Sequence, residues 1–185
     1  IAIITNPNQI SNLEFTKKEI YKLCKKFPKK LFFIDESYFG FGHYSFISLT
    51  KKLKNIFILR SITKTFGLAS ARVGFLVGHN DSMKPFKALQ TPYPLTLYSG
   101  KCMEFFLDNI KIVLNYNKDV FKGREYFCNE MRKKNFFINN SRGISIFVYY
   151  NNLKELNKIY KKCYEKKIYL KKVSINSLNF LRITC

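Results

Sequence analysis

The sequence contains no run of about 18 or more apolar residues, the length a helix needs to span a bilayer, so it offers no membrane-spanning helix. It also has no Cys-x-x-Cys pair. Its five cysteines, Cys24, Cys102, Cys128, Cys163 and Cys185, are odd in number and widely spaced, which argues against both a disulfide framework and a zinc site and leaves buried or incidental thiols. His43 and His79 lack metal-ligand company and read as loop residues. No charged-then-apolar leader precedes a small-residue cleavage site, and the expected location is the cytoplasm. The chain opens on Ile1-Ala2-Ile3 without an initiator Met and stops at Cys185 directly after an apolar run, so both ends read as cuts through structure.

Acidic residues are scarce: 12 Asp and Glu stand against 33 Lys and Arg, a formal charge of +21. Such a balance suits nucleic acid, an anionic membrane or a solvated lysine-rich surface. The last reading is favoured, because the lysines are spread along the chain among abundant Ile, Asn, Phe and Tyr with no dominant basic block. A basic nucleic-acid-binding protein remains the alternative from another class, and salt-sensitive binding to mixed oligonucleotides would mark it. The aromatic residues, Tyr149 and Tyr150 included, read as core and sheet packing rather than a base-stacking platform.

With 185 residues, 46% of them apolar, the chain can build a core. Ile1–Thr5, Leu31–Ile34, Ile56–Leu59 and Gly74–Gly78 are short apolar runs that read as buried strands. Between the first two, Ile20, Leu23, Cys24 and Phe27 recur at helical spacing after Thr16, a suitable N-cap. Continuous apolar strands alternating with helices predict an α/β sheet covered on both faces, which places its chemistry just past strand ends. Thr91-Pro92-Tyr93-Pro94 breaks the chain, and a long helical stretch from about Leu97 to Lys134, bent near Asn115, is expected next. Strand (Gly143–Tyr150), helix (Leu153–Glu165), strand (Ile168–Lys171) and strand (Phe180–Thr184) complete a small α+β layer. The expected division is a larger domain over 1–110 and a smaller one over 111–185.

The most informative stretch runs from Ser61 through Thr63, Lys64, Gly67 and Arg72 to Gly74-Phe75, directly after a buried strand. A lysine that attacks a carbonyl must be held near its electrophile and partly desolvated, while Arg72 and Ser61 could bind a phosphate by charge-assisted hydrogen bonds. Taken alone, the same stretch reads as a loop with a surface Lys and Arg. Upstream, Asp35 in Ile34-Asp35-Glu36-Ser37-Tyr38 reads by itself as a helix cap or strand-end turn. Arg182 in Phe180-Leu181-Arg182-Ile183-Thr184 reads by itself as an edge-strand surface residue.

Together, and in this order, the three segments resemble the signatures of fold-type I pyridoxal-phosphate enzymes, the class I/II aminotransferases. The stretch from Ser61 to Phe75 is similar to the family's cofactor-lysine motif, Ser-x-x-Lys ending in Arg-x-Gly-aromatic, with Thr63 replacing a Ser. The resemblance implies that pyridoxal 5'-phosphate is the cofactor and that Lys64 carries it as a Schiff base. It further implies that Asp35 pairs with the pyridine nitrogen, that Tyr38 bonds the ring hydroxyl, and that Ser61, Thr63 and Arg72 contribute to cofactor binding. A carboxylate beside the pyridinium keeps it protonated, so that the ring can act as an electron sink. Glu36 is left as structural.

Arg182 corresponds to the arginine that forks onto the substrate α-carboxylate. Thr91–Leu95 resembles the Ala-Pro-Tyr-Pro-Leu turn of histidinol-phosphate aminotransferases and their relatives, the decarboxylases of phosphorylated hydroxy-amino acids. Lys171 stands where that subfamily tends to have a phosphate-binding arginine. The turn Asn6-Pro7-Asn8-Gln9 departs from the family's Asn-Pro-Asn-Asn-Pro: Gln9, one methylene longer, takes the cofactor-bonding position, with Asn8 beside it. The resemblance covers essentially the whole chain and about the second half of a typical member. The family's Gly/Ser phosphate loop and stacking aromatic belong to its first half.

The expected activity is therefore transamination between an amino acid or amino-alcohol phosphate and a 2-oxo acid acceptor by a homodimer, without nucleic acid or membrane partners. The alternatives are decarboxylation of a phosphorylated hydroxy-amino acid by the same residues, and an inactive remnant.

Overall fold

The computed structural model describes residues 1–9, 13–41, 44–139 and 143–184. The chain forms two units, the first comprising Ile1–Pro7 and Leu13–Asn117, the second running from Lys118 onward and taking in Asn8 and Gln9. His43 and Cys185 lie outside the described residues.

The first unit is built on a four-stranded sheet in the order β1 (Ala2–Thr5), β2 (Phe32–Asp35), β3 (Ile56–Ser61), β4 (Gly74–Gly78). β1, β2 and β3 are parallel, with Thr5, Asp35 and Leu59 level across their C-terminal ends; β4 runs antiparallel to β3. The alternate residues Phe32, Ile34, Ile56 and Ile58 pack with Ile20 and Cys24 of α1 (Lys17–Lys26) and with Phe46, Leu49 and Leu53. On the opposite face Phe33 stacks on Phe57 at 5.0 Å between ring centroids, and Phe86 covers Phe57 at 5.1 Å. Both faces of β2 and β3 are thus apolar, which accounts for their unbroken hydrophobic runs. β1 differs: Ala2 and Ile4 pack on the core, whereas Ile1 and Ile3 are 84% and 74% exposed.

Thr16 caps α1 as expected from the sequence. Its hydroxyl accepts from the Glu19 backbone N–H at 3.3 Å, and the Glu19 carboxylate accepts from the Thr16 N–H at 2.8 Å and its hydroxyl at 2.7 Å, a reciprocal capping box. These bonds lower the Glu19 pKa. Thr16→Ala is expected to cost about 1 kcal/mol of stability at neutral pH. The carboxylate's share is present above its unfolded pKa and disappears as pH falls through the lowered folded value, so urea midpoints of wild type and variant should converge in acid.

Burial raises the Cys24 thiol pKa to about 11. Cys24 should therefore resist iodoacetamide at pH 8 while the partly exposed Cys102 and Cys163 are alkylated first, as read by peptide mass. Because the folded pKa is raised, the associated stability is present below the ordinary thiol range and is lost as pH climbs toward about 11.

Two segments between the sheet and the second unit differ from the sequence expectation. Asn80–Ala88 is helical (α3), capped by His79, whose Nδ1 accepts from the Asp81 N–H at 3.3 Å; His79 is a cap rather than a plain loop residue. Pro85 lies inside the helix at the sixth position and has no N–H to give to the Asp81 carbonyl. The long stretch after the Pro-Tyr-Pro break is two helices, α4 (Leu97–Asp108) and α5 (Ile110–Lys133), rather than one bent near Asn115. The break is at Asn109, which leaves the helical conformation at φ −111°, ψ 39°, while its side-chain amide donates to the Phe105 carbonyl at 2.8 Å.

The second unit holds a three-stranded antiparallel sheet, order β5 (Ser145–Tyr150), β7 (Leu178–Thr184), β6 (Lys171–Ile175), with α6 (Leu153–Glu165) against it. Its core gathers Cys128, Ile138, Ile146, Val148, Tyr150, Leu156 and Leu181. The strand expected over Ile168–Lys171 begins only at Lys171. Ladder pairing with β7 fixes it there, whereas Ile168–Leu170 carry the apolar signal without strand partners. Among the described residues no helix is long and apolar enough to cross a membrane.

Candidate active site

Asp35 is the last residue of β2. One carboxylate oxygen accepts from the Ser37 N–H at 2.8 Å, the strand-end turn its residue type suggested. Two further turns follow, Phe39 N–H to the Glu36 carbonyl at 2.8 Å and Phe41 N–H to the Tyr38 carbonyl at 3.0 Å. Gly40 sits at φ +97°, and a Cβ there would fall 2.8 Å from Thr65 Cγ2 and 3.0 Å from the Asn117 amide nitrogen. Glycine is required for both reasons: the left-handed backbone and the close approach of neighbouring side chains.

From the end of β3 the chain enters a single helical turn, α2 (Ile62–Thr65), capped by Ser61, whose hydroxyl accepts from the Thr63 N–H at 3.1 Å and donates to the Val73 carbonyl at 3.2 Å. Ile62 and Thr65 turn inward, so that Lys64 between them faces out. The Lys64 amine lies 4.2 Å from the centroid of the Tyr38 ring, which brings the lysine of one motif against the tyrosine of the other. Lys64 is an exposed residue, and the Tyr38 ring partly covers its amine.

Arg72 has φ 51° and ψ 37°, a left-handed conformation that is uncommon outside glycine. Its neighbours hold it there. Ala71 and Val73 are buried, the Ala71 carbonyl accepts from the Ser99 hydroxyl at 2.6 Å, and the Val73 carbonyl accepts from the Ile62 N–H at 3.2 Å as well as from Ser61. Strain of this kind, on the order of 1–3 kcal/mol, persists where the surroundings over-determine the backbone. The guanidinium projects into solvent with one long bond, 3.4 Å, to the Ala69 carbonyl.

Beside this cluster lies a buried ion pair that sequence reasoning did not assemble. Glu36 is fully buried and accepts from Arg60 Nε and Nη2, both at 2.9 Å; its other oxygen accepts from the Phe46 N–H at 2.6 Å. Arg60 also donates to the Ser45 hydroxyl at 2.6 Å, and its guanidinium carbon sits 3.5 Å from the Phe39 ring centroid. The available signal was a charged residue at each of two adjacent strand ends.

Six of the expected residues, Asp35, Tyr38, Ser61, Thr63, Lys64 and Arg72, thus belong to the first unit, around the C-terminal ends of β2 and β3. Asn8, Gln9, Lys171 and Arg182 belong to the second. The Gln9 amide packs where a Cβ at Gly143 would lie, so Gly143 leaves room for it. Lys171 and Arg182 are direct cross-strand partners and share a face at a cavity of about 300 Å³ that Tyr169 also lines. Arg182 Nε is buried there without a hydrogen-bond partner among the described residues.

A mixed sheet with parallel strands and one antiparallel edge, followed by a small antiparallel sheet, is the fold of this portion of fold-type I pyridoxal-phosphate enzymes. The threonine-O-3-phosphate decarboxylase of Porphyromonas gingivalis superposes with a TM-score of 0.84 at 20% identity, over 99% of this chain and 58% of that one. The histidinol-phosphate aminotransferase of Sinorhizobium meliloti, solved in complex with pyridoxal-5'-phosphate, gives 0.84 at 14% identity, over 98% and 52%.

The chain belongs to the class I and II aminotransferase family, whose profile matches residues 2–185. It is 27% identical over 168 residues to the histidinol-phosphate aminotransferase of Thermotoga neapolitana, 91% of this chain and 49% of that protein. It is 31% identical over 150 residues to that of Sulfurisphaera tokodaii, 80% and 42% respectively. The chain therefore spans about half the length of the curated relatives it matches.

Proposed function

We propose that these residues form the cofactor-lysine portion of a pyridoxal-phosphate-dependent aminotransferase acting on an amino acid or amino-alcohol phosphate, with a 2-oxo acid as acceptor. The observation that carries the reading is the amine of Lys64 set 4.2 Å over the Tyr38 ring, beside the strand end that bears Asp35. The donor set suits the cofactor. Lys64 offers an accessible amine, Asp35 keeps one carboxylate oxygen outside its turn, Tyr38 brings a phenol, and Arg72 presents a guanidinium toward solvent. When bound, the cofactor supplies an electron sink for cleavage at the substrate's α-carbon.

Lys64 would hold the cofactor covalently and afterwards move a proton at the α-carbon. Asp35 would hold the pyridine nitrogen in its protonated form, Tyr38 would bond the ring hydroxyl, and Ser61, Thr63 and Arg72 would take the phosphate end. Gln9 and Asn8 are assigned to the ring side through an amide. In the second unit, Arg182 is assigned to the substrate carboxylate and Lys171 to a substrate phosphate. Two cations directly opposite on neighbouring strands repel each other, and a buried guanidinium nitrogen without an acceptor is costly; an anion relieves both. In this reading the first unit is part of the large cofactor-binding domain, the second is the small C-terminal domain, and the working enzyme is a cytoplasmic homodimer.

The test is to express the longest reading frame containing these residues, add pyridoxal phosphate, reduce with borohydride and map the adduct by peptide mass. An adduct on Lys64 supports the assignment; a folded protein without one sinks it. If the adduct forms, carbon dioxide release without an oxo-acid acceptor would replace transamination by decarboxylation.

A further inference from the structure

We infer that Arg60 is a positioning residue: gripped by Glu36 and laid flat against Phe39, it sets the ring of Tyr38 over the amine of Lys64. The functional meaning of that placement rests on Lys64 being the cofactor-bearing lysine; the placement itself does not.

Tyr38 and Lys64 lie on separate segments, one after β2 and the other after β3, and nothing within either segment alone fixes how they approach. Two links join them. Phe39, next to Tyr38, accepts a hydrogen bond at its carbonyl from the hydroxyl of Thr65, next to Lys64. Phe39 also carries the Arg60 guanidinium on its ring face at 3.5 Å, and Arg60 is the residue just before Ser61, the cap of the lysine turn. Arg60 in turn cannot swing away: the Glu36 carboxylate takes its Nε and Nη2, and Ser45 takes Nη2 from a second direction. Glu36 is itself pinned by the Phe46 N–H in a fully buried position.

A planar fork is needed for this. Only arginine can present two parallel donors to a carboxylate edge-on while offering its flat face to a ring. Lysine at the same position keeps the charge and loses both the fork and the plate. Phe39 is 40% exposed, so the hydrophobic effect alone gives its ring little reason to stay in place; the guanidinium supplies one. On the other side Gly40 lets the turn close against Thr65 without a Cβ in the way.

The experiment uses protein from the longest reading frame without cofactor, labelled with a limiting amount of acetic anhydride and read lysine by lysine by peptide mass. Arg60→Lys and Phe39→Leu are each expected to change the labelling of Lys64 at least threefold relative to Lys87 and Lys158, with circular dichroism unchanged, while Phe39→Tyr, which keeps the ring, restores the wild-type ratio. A merely structural contribution would move all lysines together or none.

The inference is overturned if folded Arg60→Lys or folded Phe39→Leu labels Lys64 as wild type does, or if Phe39→Tyr fails to restore the ratio. Should Arg60→Lys not fold, the Phe39 pair decides alone. Borohydride trapping on the same proteins separates the two readings. Wild type without an adduct but with the labelling shifts refutes the cofactor assignment and keeps the positioning; an adduct with no shifts does the reverse.

Discussion

Lys64→Ala is expected to abolish the borohydride-fixed cofactor adduct and to lower transamination by at least about 10²–10⁴-fold, the usual contribution of a positioned acid–base group. The folded chain should lose almost nothing. Lys64 is exposed, and its contact in the structure is the Tyr38 ring, so an unchanged urea midpoint beside a vanished adduct is the result that assigns a chemical role. Lys64→Arg should behave in the same way, because a guanidinium keeps the cationic contact with Tyr38 but is not nucleophilic at neutral pH. A variant that retained the adduct would move the covalent site to another lysine.

Glu36→Ala is expected to give the largest loss of stability, about 3–5 kcal/mol, the range for removing one partner of a buried ion pair. The loss combines an Arg60 side chain only 14% exposed and deprived of its carboxylate with a Phe46 N–H left without its acceptor. Against a typical total of about 5–15 kcal/mol, that is a large share. Urea unfolding should show it as a lowered midpoint at nearly constant slope. Glu36→Gln, which keeps an acceptor of similar shape, should lose less.

The sheet was legible in the sequence because β2 and β3 are covered on both faces, which writes them as unbroken apolar runs, and the first helix because Thr16 stands as an N-cap ahead of its apolar spacing. The site motifs were legible as strings for a related reason: they occupy strand ends and turns, where backbone geometry demands particular residues. Less could be read of what joins them. Glu36 reads as structural, yet its partner lies 24 residues away in sequence on a neighbouring strand, and register, not spacing, brings Arg60 to it. The left-handed Arg72 was equally hidden, since its conformation is enforced by Ser99, 28 residues beyond the Ala71 whose carbonyl it holds.

The helix break was misjudged by six residues, from Asn115 to Asn109, because both are asparagines in an otherwise helical pattern. Only one of them turns its amide back on the chain. The strand expected over Ile168–Lys171 extends on the other side of Lys171, since an apolar run marks burial without saying which residues have ladder partners.

Taken by themselves, residues 1–185 join an exposed apolar strand to a strongly basic chain. Among the described residues the β1 backbone pairs with β2 alone, and Ile1 and Ile3 are exposed, so residues 1–185 taken by themselves present an edge of the kind that templates strand addition between copies. At low ionic strength the formal charge of +21 keeps such copies apart. Salt shortens that repulsion to about 3 Å at 1 M, so residues 1–185 expressed by themselves should scatter more light as salt is added, the reverse of salting in, and Ile3→Lys should delay the onset.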